Sequence, residues 1–223
     1  MATIDRAGWA RIFAKLQRSR HRPIDVLGLG ECSIDRVVRL PGPLQALLPS
    51  ALSTHAHKGD RGHASGKARA VAVDLLGGGQ IATALCAVRR LGRTAQFLGS
   101  IAQDTEGNAV LDGLRREGVD TSHVHVFPAD QAATRTALIL VDTDGERAII
   151  EHRDPRLTLP DDYPSVDTLA QARIVHLDAT FPPSAERAAL LADASGALVS
   201  LDVDGAGDPP PSLLRDSDLC VVA

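Results

Sequence analysis

Gly77-Gly78-Gly79-Gln80-Ile81-Ala82-Thr83-Ala84 is the stretch that says most about the fold of this 223-residue chain. Three glycines before a helix allow a ligand to approach the backbone closely, because no Cβ stands in the way. The residues that follow, up to Leu91-Gly92, are mostly apolar and predict a buried helix. The first turn of such a helix offers free N–H groups and a positive dipole end, which suit hydroxyl oxygens or phosphate. The stretch therefore predicts a binding turn at the start of a buried helix.

The rest of the chain alternates predicted strands with predicted helices. Asp144-Gly145 lies between two further predicted strands, 136–142 and 146–151, and predicts that they form a hairpin. The predicted strands are 25–29, 36–40, 95–98, 173–178, 197–203 and 219–222, and the predicted helices are 108–117 and 184–194, the second with Ser184 as its N-cap. This alternation favours an α/β fold, in which helices flank a mostly parallel sheet and the hairpin forms a separate flap.

The composition excludes several classes of function. Apolar residues make up 44% and charged residues 23% of the chain, as in ordinary globular proteins. A net charge of −4 and an aromatic content of 3% argue against a nucleic-acid partner. No apolar run reaches the roughly 20 residues of a membrane helix. Cys32, Cys86 and Cys220 lie far apart without a C-x-x-C pair. We therefore expect a cytoplasmic protein with no membrane partner and no zinc site.

The first 22 residues are predicted to form an extension outside the main domain. Trp9, Ile12, Phe13 and Leu16 follow helical spacing and form one apolar stripe, and basic residues cover the remainder. An Arg-rich segment with almost no acidic residue is also compatible with a targeting peptide. We favour an amphipathic helix that packs on the domain or on a neighbouring subunit.

A polar stretch between Pro43 and Ala70 contains four side chains that are able to bind metal. They are His55, His57, Asp60 and His63. Imidazoles at this spacing suit a transition metal. No apolar residues nearby would fix their geometry, so we favour a solvated insertion and predict no metal site.

Gly28-Leu29-Gly30-Glu31-Cys32-Ser33 follows the first predicted strand and resembles a dinucleotide fingerprint only in part. Ser33 occupies the position of the third glycine, and no crossover helix follows before Pro41. The notable residue is Asp35, which lies just beyond the carboxyl end of that strand, where open α/β sheets place their ligands. An ionised Asp only accepts hydrogen bonds and so suits a pair of sugar hydroxyls. A turn or cap role explains Asp35 equally well at this point.

Five segments together decide between these roles. They are Gly28–Asp35, the glycine-rich helix that ends at Leu91-Gly92, Gly99…Asp104…Gly107, Arg115–Asp120, and Thr136–Arg147. Their order and spacing resemble the PfkB/ribokinase family of carbohydrate and nucleoside kinases, from about Asp25 to the end of the chain. The resemblance implies a ribokinase-like α/β domain over 23–223 with a small β-sheet lid, built from about 36–75 and 136–151.

The resemblance also implies roles for individual residues. Asp35 would accept hydrogen bonds from substrate hydroxyls, and Gly78 and Gly79 would lie against the sugar. Thr83 stands where the family usually has a substrate-binding Asn, and Gln80 is a candidate to compensate for the missing amide. Two further candidates are Arg153, just after the hairpin, and Asp178, at the end of a strand, although a surface Arg and a strand-terminal Asp need no function.

Gly205-Ala206-Gly207-Asp208 matches the turn that carries the chemistry in this family. There, backbone amides form an anion hole for the transferred phosphoryl group, and the Asp acts as base on the substrate hydroxyl. Three prolines follow at once in this chain, and proline offers no N–H and disfavours a helical first turn. The family motif also lies several strands later, so we interpret the match as fortuitous. The catalytic residues are then expected C-terminal to Ala223, and the chain is expected to be a fragment or a truncated form.

Two functions follow from the resemblance. The first is an ATP- and Mg²⁺-dependent kinase that phosphorylates a hydroxyl of a sugar or nucleoside, and of which this chain is one part. The alternative is a non-catalytic sugar-binding or scaffold remnant. Relatives often dimerise through lid strands, so a homodimer of this kind is a further expectation.

Overall fold

The computed structural model describes residues 6–44, 69–203 and 209–222. The helices are α1 (Arg6–Arg18), α2 (Gln80–Arg90), α3 (Thr105–Arg116), α4 (Val166–Ala170), α5 (Pro182–Ser195) and α6 (Pro211–Arg215). The strands are β1 (Ile24–Leu29), β2 (Ser33–Arg39), β3 (Ala72–Gly78), β4 (Ala95–Leu98), β5 (Ser100–Ala102), β6 (His125–Phe127), β7 (Thr136–Val141), β8 (Arg147–His152), β9 (Ala172–Leu177), β10 (Leu198–Val203) and β11 (Leu219–Val222). No helix in the described ranges is long and apolar enough to cross a membrane.

The main sheet has five strands in the order β11-β10-β9-β1-β4, and every neighbouring pair is parallel. Gly28 of β1 lies opposite Phe97 of β4 on one side and His176 of β9 on the other. All carboxyl ends therefore meet at one edge of the sheet. This confirms the α/β class with a mostly parallel sheet that the sequence predicts.

Helices cover both faces of this sheet. Leu27 and Leu29 of β1 pack into a core with α5, whereas Gly28 points the other way, so close to α2 that a Cβ on it would lie 2.5 Å from Ile81. Ile81, Leu85 and Phe97 belong to this second core, together with apolar residues of α3. Each fully buried Leu or Ile stabilises the fold by about 1.5–3 kcal/mol. The buried α2 thus holds the glycine-rich turn firmly against the sheet edge.

A second sheet of four strands, in the order β3-β2-β7-β8, starts directly after β1. β2 pairs antiparallel with β3 and parallel with β7, and the hairpin around Asp144-Gly145 joins β7 to β8. The register places Asp35 and Glu151 on one face, since both are paired with Ala137. Both faces carry exposed apolar side chains. They are Leu76 and Ile149 on the face of Asp35, and Val73, Leu75 and Ile150 on the opposite face. Whether this sheet acts as a lid stays a prediction, and part of the range 36–75 lies outside the described residues.

The buried side of helix α1 differs from the apolar stripe that the sequence predicts. Trp9 and Phe13 are 47% and 61% exposed, whereas Ile12, Lys15 and Ser19 are buried. The Lys15 ammonium lies 2.5 Å from a carboxylate oxygen of Asp193 and 2.6 Å from one of Asp218. A buried ammonium needs such partners, because an unpaired charge is costly away from water. The side of α1 that carries Lys15 is therefore buried, because Asp193 and Asp218 neutralise its charge there.

Helix α5 begins two residues earlier than the sequence predicts. Its N-cap is Phe181, and Pro182 and Pro183 are its first two residues, so Ser184 lies inside the helix and does not cap it. Proline suits the first turn of a helix, where its missing N–H has no partner to lose. The two prolines thus start the helix earlier than Ser184 predicts.

Candidate functional site

Several polar and glycine residues meet at the carboxyl edge of the main sheet. Gly30-Glu31 follows β1, Asp178 follows β9, and Gly79 begins α2. Ligands of open α/β sheets bind at this edge. The four-stranded sheet adds Asp35 from β2 and Glu151 from β8.

The carboxylate of Asp35 lies directly on Gly78. A Cβ on Gly78 would be 2.2 Å from Asp35 Oδ2, so only glycine fits there without displacing the carboxylate. The Ser33 hydroxyl donates a hydrogen bond of 2.8 Å to Asp35 Oδ1. Asp35 itself is half-buried. The pair predicted from the sequence, Asp35 and Gly78, is thus brought into contact, and the carboxylate keeps lone pairs for a ligand.

Gly79 follows Gly78 and has a backbone conformation that requires glycine. Its φ is +91°, and a Cβ would lie 2.6 Å from both the Cys32 Cα and the Glu31 carbonyl oxygen. The Ala82 N–H donates to the Glu31 carbonyl oxygen at 3.2 Å. In the part of the chain that the structure describes, the N–H groups of Gln80 and Ile81 have no hydrogen-bond partner. The first turn of α2 therefore presents free donors beside Asp35 and Gly78.

Asp178 is buried, with 1% of its surface exposed. Its two carboxylate oxygens accept hydrogen bonds of 2.8 Å from the N–H groups of Glu31 and Thr180. The carboxylate lies so close to Gly30 that a Cβ there would be 2.3 Å away. Burial raises the pKa of Asp178 to about 6, although the hydrogen bonds from Thr180 and the nearby His176 and Arg135 act in the opposite direction. Asp178 thus fixes the loop after β1, which is a structural role beside the predicted binding role.

Arg135 is the central residue that the sequence analysis missed. It is 6% exposed and forms ion pairs with Glu31, after β1, and with Glu151 of β8, the latter at 3.1 Å. Glu151 also accepts a hydrogen bond of 2.9 Å from Arg153 Nε. Burial, followed by the charge of Arg153, lowers the pKa of Arg135. The only sequence signal was a charged residue between two threonines at the start of a strand, Thr134-Arg135-Thr136.

A cavity of about 780 Å³ lies beside this ion-pair network. Arg135 and Arg153 line one side, the 154–161 segment lines another, and the first turn of α5 with Thr180 lines a third. Asp154 orders that segment, since it accepts hydrogen bonds from the Ala133 N–H and from the backbone and guanidinium of Arg156. These bonds, above all those of the Arg156 guanidinium, hold the pKa of Asp154 well below its usual range.

Thr83 faces a different space. It is exposed on α2 and lines a second cavity of about 590 Å³ between α2, α3 and β3, together with Ser33 and Gly78. Thr83 shares this cavity with Gly78 but not with Asp35, whose carboxylate contacts Gly78 and lies on the sheet face that also carries Glu151. Arg153 and Asp178 lie near Arg135. The structure does not bring Thr83 to the side of Arg153.

Two predictions concern residues that lie outside the described ranges. The interpretation of Gly205-Ala206-Gly207-Asp208 and that of the His55–His63 stretch both concern residues that the structure does not describe. Among the residues that it does describe, no group of three or more His, Cys, Asp or Glu side chains could hold a metal ion.

Comparisons with known proteins identify similar chains. The model of the pfkB family carbohydrate kinases matches residues 55–216. The chain is 35% identical over 133 residues to fructokinase-1 of Oryza sativa subsp. japonica, covering 56% of this chain and 41% of that one. It is 30% identical over 126 residues to an ATP-dependent ribose-1-phosphate kinase of Halopiger xanaduensis, covering 56% and 42%.

A solved structure shares the fold. The ribokinase of Arabidopsis thaliana, complexed with ribose and ATP, superposes with a TM-score of 0.68 at 21% identity, covering 89% of this chain and 60% of that one. The chain thus spans about two fifths of the length of the curated relatives that it matches, and three fifths of this ribokinase.

Proposed function

We propose, since the chain belongs to the pfkB family of carbohydrate kinases, that it forms the sugar-binding part of an ATP-dependent kinase. In this reaction the γ-phosphoryl group of ATP is transferred to a hydroxyl of a sugar or nucleoside. Relatives named fructokinase and ribose-1-phosphate kinase, and a ribokinase solved with ribose and ATP, support a sugar substrate and ATP as the phosphoryl donor.

The observation that carries the proposal is the pairing of one acceptor with free donors at the glycine-rich turn. The Asp35 carboxylate on Gly78 accepts hydrogen bonds from substrate hydroxyls, and the free N–H groups of Gln80 and Ile81 donate to hydroxyl oxygens. A polyol needs both kinds of partner, because each hydroxyl donates one hydrogen bond and accepts others. Gly78 and Gly79 let the ring approach the backbone. Thr83 offers one further hydroxyl, in the second cavity that Gly78 also lines.

In this proposal the described residues bind and orient the substrate. Phosphoryl transfer depends mainly on positioning and on electrostatic stabilisation of the transferred group, so fixing the acceptor hydroxyl contributes directly to the rate. The base that accepts the hydroxyl proton is assigned to none of the described residues. Mg²⁺ bound with ATP would neutralise part of the phosphate charge. Because the described residues include no cluster that fits a metal, we assign no ligand to this ion.

Two finer expectations stay proposals. The exposed apolar side chains of the four-stranded sheet, among them Val73, Leu75 and Ile150, support a homodimer through this sheet, which sedimentation equilibrium tests. A cytoplasmic location is proposed from the free, unpaired cysteines.

Calorimetric titration of the chain with D-fructose, D-ribose and adenosine tests the binding role. Hydrogen bonds to a charged group contribute about 1.5–3 kcal/mol. Asp35→Asn should therefore raise the Kd for the sugar roughly 10- to 150-fold. Asp112→Asn is the matched control, since Asp112 is an exposed carboxylate on α3 whose nearest ion-pair partner, Arg115, is 3.9 Å away. Equal affinities of both variants for the sugar would contradict the assigned site.

ATP turnover separates the kinase from the non-catalytic alternative. A sugar-dependent release of ADP by a protein that contains this chain supports the kinase. Sugar binding without any phosphorylated product, from every sugar of the panel, supports a binding remnant.

A further inference from the structure

Arg135 holds the short segment that joins the two sheets, although the proposed sugar contacts do not include it. Its guanidinium forms an ion pair with the Glu31 carboxylate, and its backbone carbonyl oxygen accepts a hydrogen bond of 3.2 Å from the Ile34 N–H. The segment 31–34 leads from the end of β1 into β2. Arg135 therefore binds this segment at both of its ends.

Glu31 in turn holds the glycine-rich turn through its backbone. Its carbonyl oxygen accepts the hydrogen bond of 3.2 Å from the Ala82 N–H in the first turn of α2. This helix has no side-chain cap at Gly79, so Glu31 satisfies one of its free N–H groups instead. A Cβ on Gly79 would lie 2.6 Å from the same oxygen. Since no space separates Glu31 from the turn, a shift of Glu31 would also displace the free N–H groups of Gln80 and Ile81.

The same segment determines where Asp35 lies. Asp35 follows Ile34 directly in β2. Its carboxylate accepts the hydrogen bond of 2.8 Å from the hydroxyl of Ser33, which belongs to the segment. One short segment thus sets the positions of the proposed sugar acceptor and, through Glu31, of the proposed sugar donors.

The ion pair between Arg135 and Glu31 is well suited to fix a geometry. The two side chains are 7% and 12% exposed, so salt and water screen the pair only weakly. A guanidinium is also planar and rigid, which restricts the orientation of its partner. Among the described residues, Arg135 is the only ion-pair partner of the Glu31 carboxylate.

We propose that Arg135 is a positioning residue of the sugar site. Through Glu31 it fixes the distance between the Asp35 carboxylate and the free N–H groups of the glycine-rich turn, and it does not touch the sugar itself. The inference rests on the proposed function, because it adds a residue to the same site. Loss of the ion pair therefore lowers the affinity for the sugar by a route that is separate from its effect on stability.

The double variant Arg135→Met/Glu31→Gln separates these two effects, because it removes the ion pair without leaving a buried charge. We expect its free energy of unfolding in urea to stay close to that of the wild type. In calorimetric titrations with D-fructose and D-ribose, its Kd should nevertheless rise roughly 5- to 50-fold, as expected for groups in one hydrogen-bond network. A Kd equal to that of the wild type would overturn the proposal.

Hydrogen exchange of the ¹⁵N-labelled chain tests the positioning without any sugar. The Ala82 N–H is protected by Glu31, whereas the Thr83 N–H donates to the Gly79 carbonyl oxygen within the helix. In the double variant, the ratio of the Ala82 exchange rate to the Thr83 exchange rate should rise about tenfold.

The two measurements together distinguish the possible outcomes. An unchanged exchange ratio with a raised Kd would overturn the proposal, because Arg135 would then act on the sugar directly. If the ratio rises and no sugar binds to the wild type, Arg135 does position the turn and the proposed function fails.

Lys15→Met is the matched control for lost stability. It also breaks a buried ion pair, since the side chains of Lys15 and Asp218 are 6% and 3% exposed. This pair lies at the other edge of the main sheet, where Asp218 accepts a hydrogen bond from the Val199 N–H near the start of β10. The variant should lose stability but change the Kd less than about twofold and leave the exchange ratio unchanged. A Kd that rises as much as in the double variant would contradict a specific role of Arg135.

Discussion

Replacing Arg135 by Met tests the ion-pair network that joins the two sheets at the site. The Arg135 and Glu31 side chains are 7% and 12% exposed, so the substitution leaves the Glu31 carboxylate buried without its partner. Breaking a buried pair in this way costs about 3–5 kcal/mol. The second pair contributes little, because Glu151 is 40% exposed and such pairs are worth about 0–1 kcal/mol.

Urea denaturation and calorimetry measure this loss. For a chain of this size, 1 kcal/mol shifts the melting temperature by about 2–4 °C, so Arg135→Met should melt roughly 6–20 °C lower. Arg153→Met is the matched control, since both members of its pair with Glu151 are about half exposed and the loss should stay below about 1 kcal/mol.

A double variant identifies the cause. In Arg135→Met/Glu31→Gln the buried charge is gone, so most of the lost free energy of unfolding should return. A loss below about 1 kcal/mol in the single variant would show that Glu31 does not depend on Arg135 as its buried partner. So would a double variant that is as unstable as the single one.

Two further predictions concern backbone geometry and pH. Gly79→Ala should lower the free energy of unfolding, measured by urea denaturation, by about 2–5 kcal/mol, because φ is +91° and the new Cβ would lie 2.6 Å from the Cys32 Cα. Gly92→Ala is the control: its φ is +74° but no atom lies within 4 Å of the new Cβ, so the loss should be only about 1–2 kcal/mol. Equal losses in the two variants would argue against the close approach at Gly79. Since the folded-state pKa of Asp178, about 6, lies above its ordinary value of 3.8, the carboxyl stabilises the fold most below about pH 4, and this contribution is lost as pH rises through 6. The free energy of unfolding of the wild type relative to Asp178→Asn should therefore fall by about 2–3 kcal/mol between pH 4 and 7, and a constant difference would contradict the burial argument.

The sequence predicts the architecture because the governing signals are local. Alternating strands and helices indicate a parallel sheet, and the segments that follow its strands are expected to meet at its carboxyl edge. The sequence places Asp35 just after the first of these strands, and the structure places it within β2, which starts there. The contact between Asp35 and Gly78 follows from this topology together with the spacing of the two segments. The hairpin around Asp144-Gly145 is likewise a local signal.

The missed features depend on contacts between residues that are distant in the sequence. The partners of Arg135 come from the loop after β1 and from β8, and no spacing rule links them. Lys15 is buried in place of Trp9 because Asp193 and Asp218 lie beneath α1. Ser184 resembles an N-cap in the sequence, but Pro182 and Pro183 form the first turn of the helix and its N-cap is Phe181.

The binding role of the glycine-rich turn is best tested by an NMR titration of the labelled chain with the sugar that binds most tightly. The Gln80 and Ile81 amide resonances, which belong to the free donors beside Asp35, should shift in a saturable way, and both shifts should be lost in Asp35→Asn. Saturable sugar binding that leaves both resonances unmoved would contradict the assignment of the glycine-rich turn as the sugar wall.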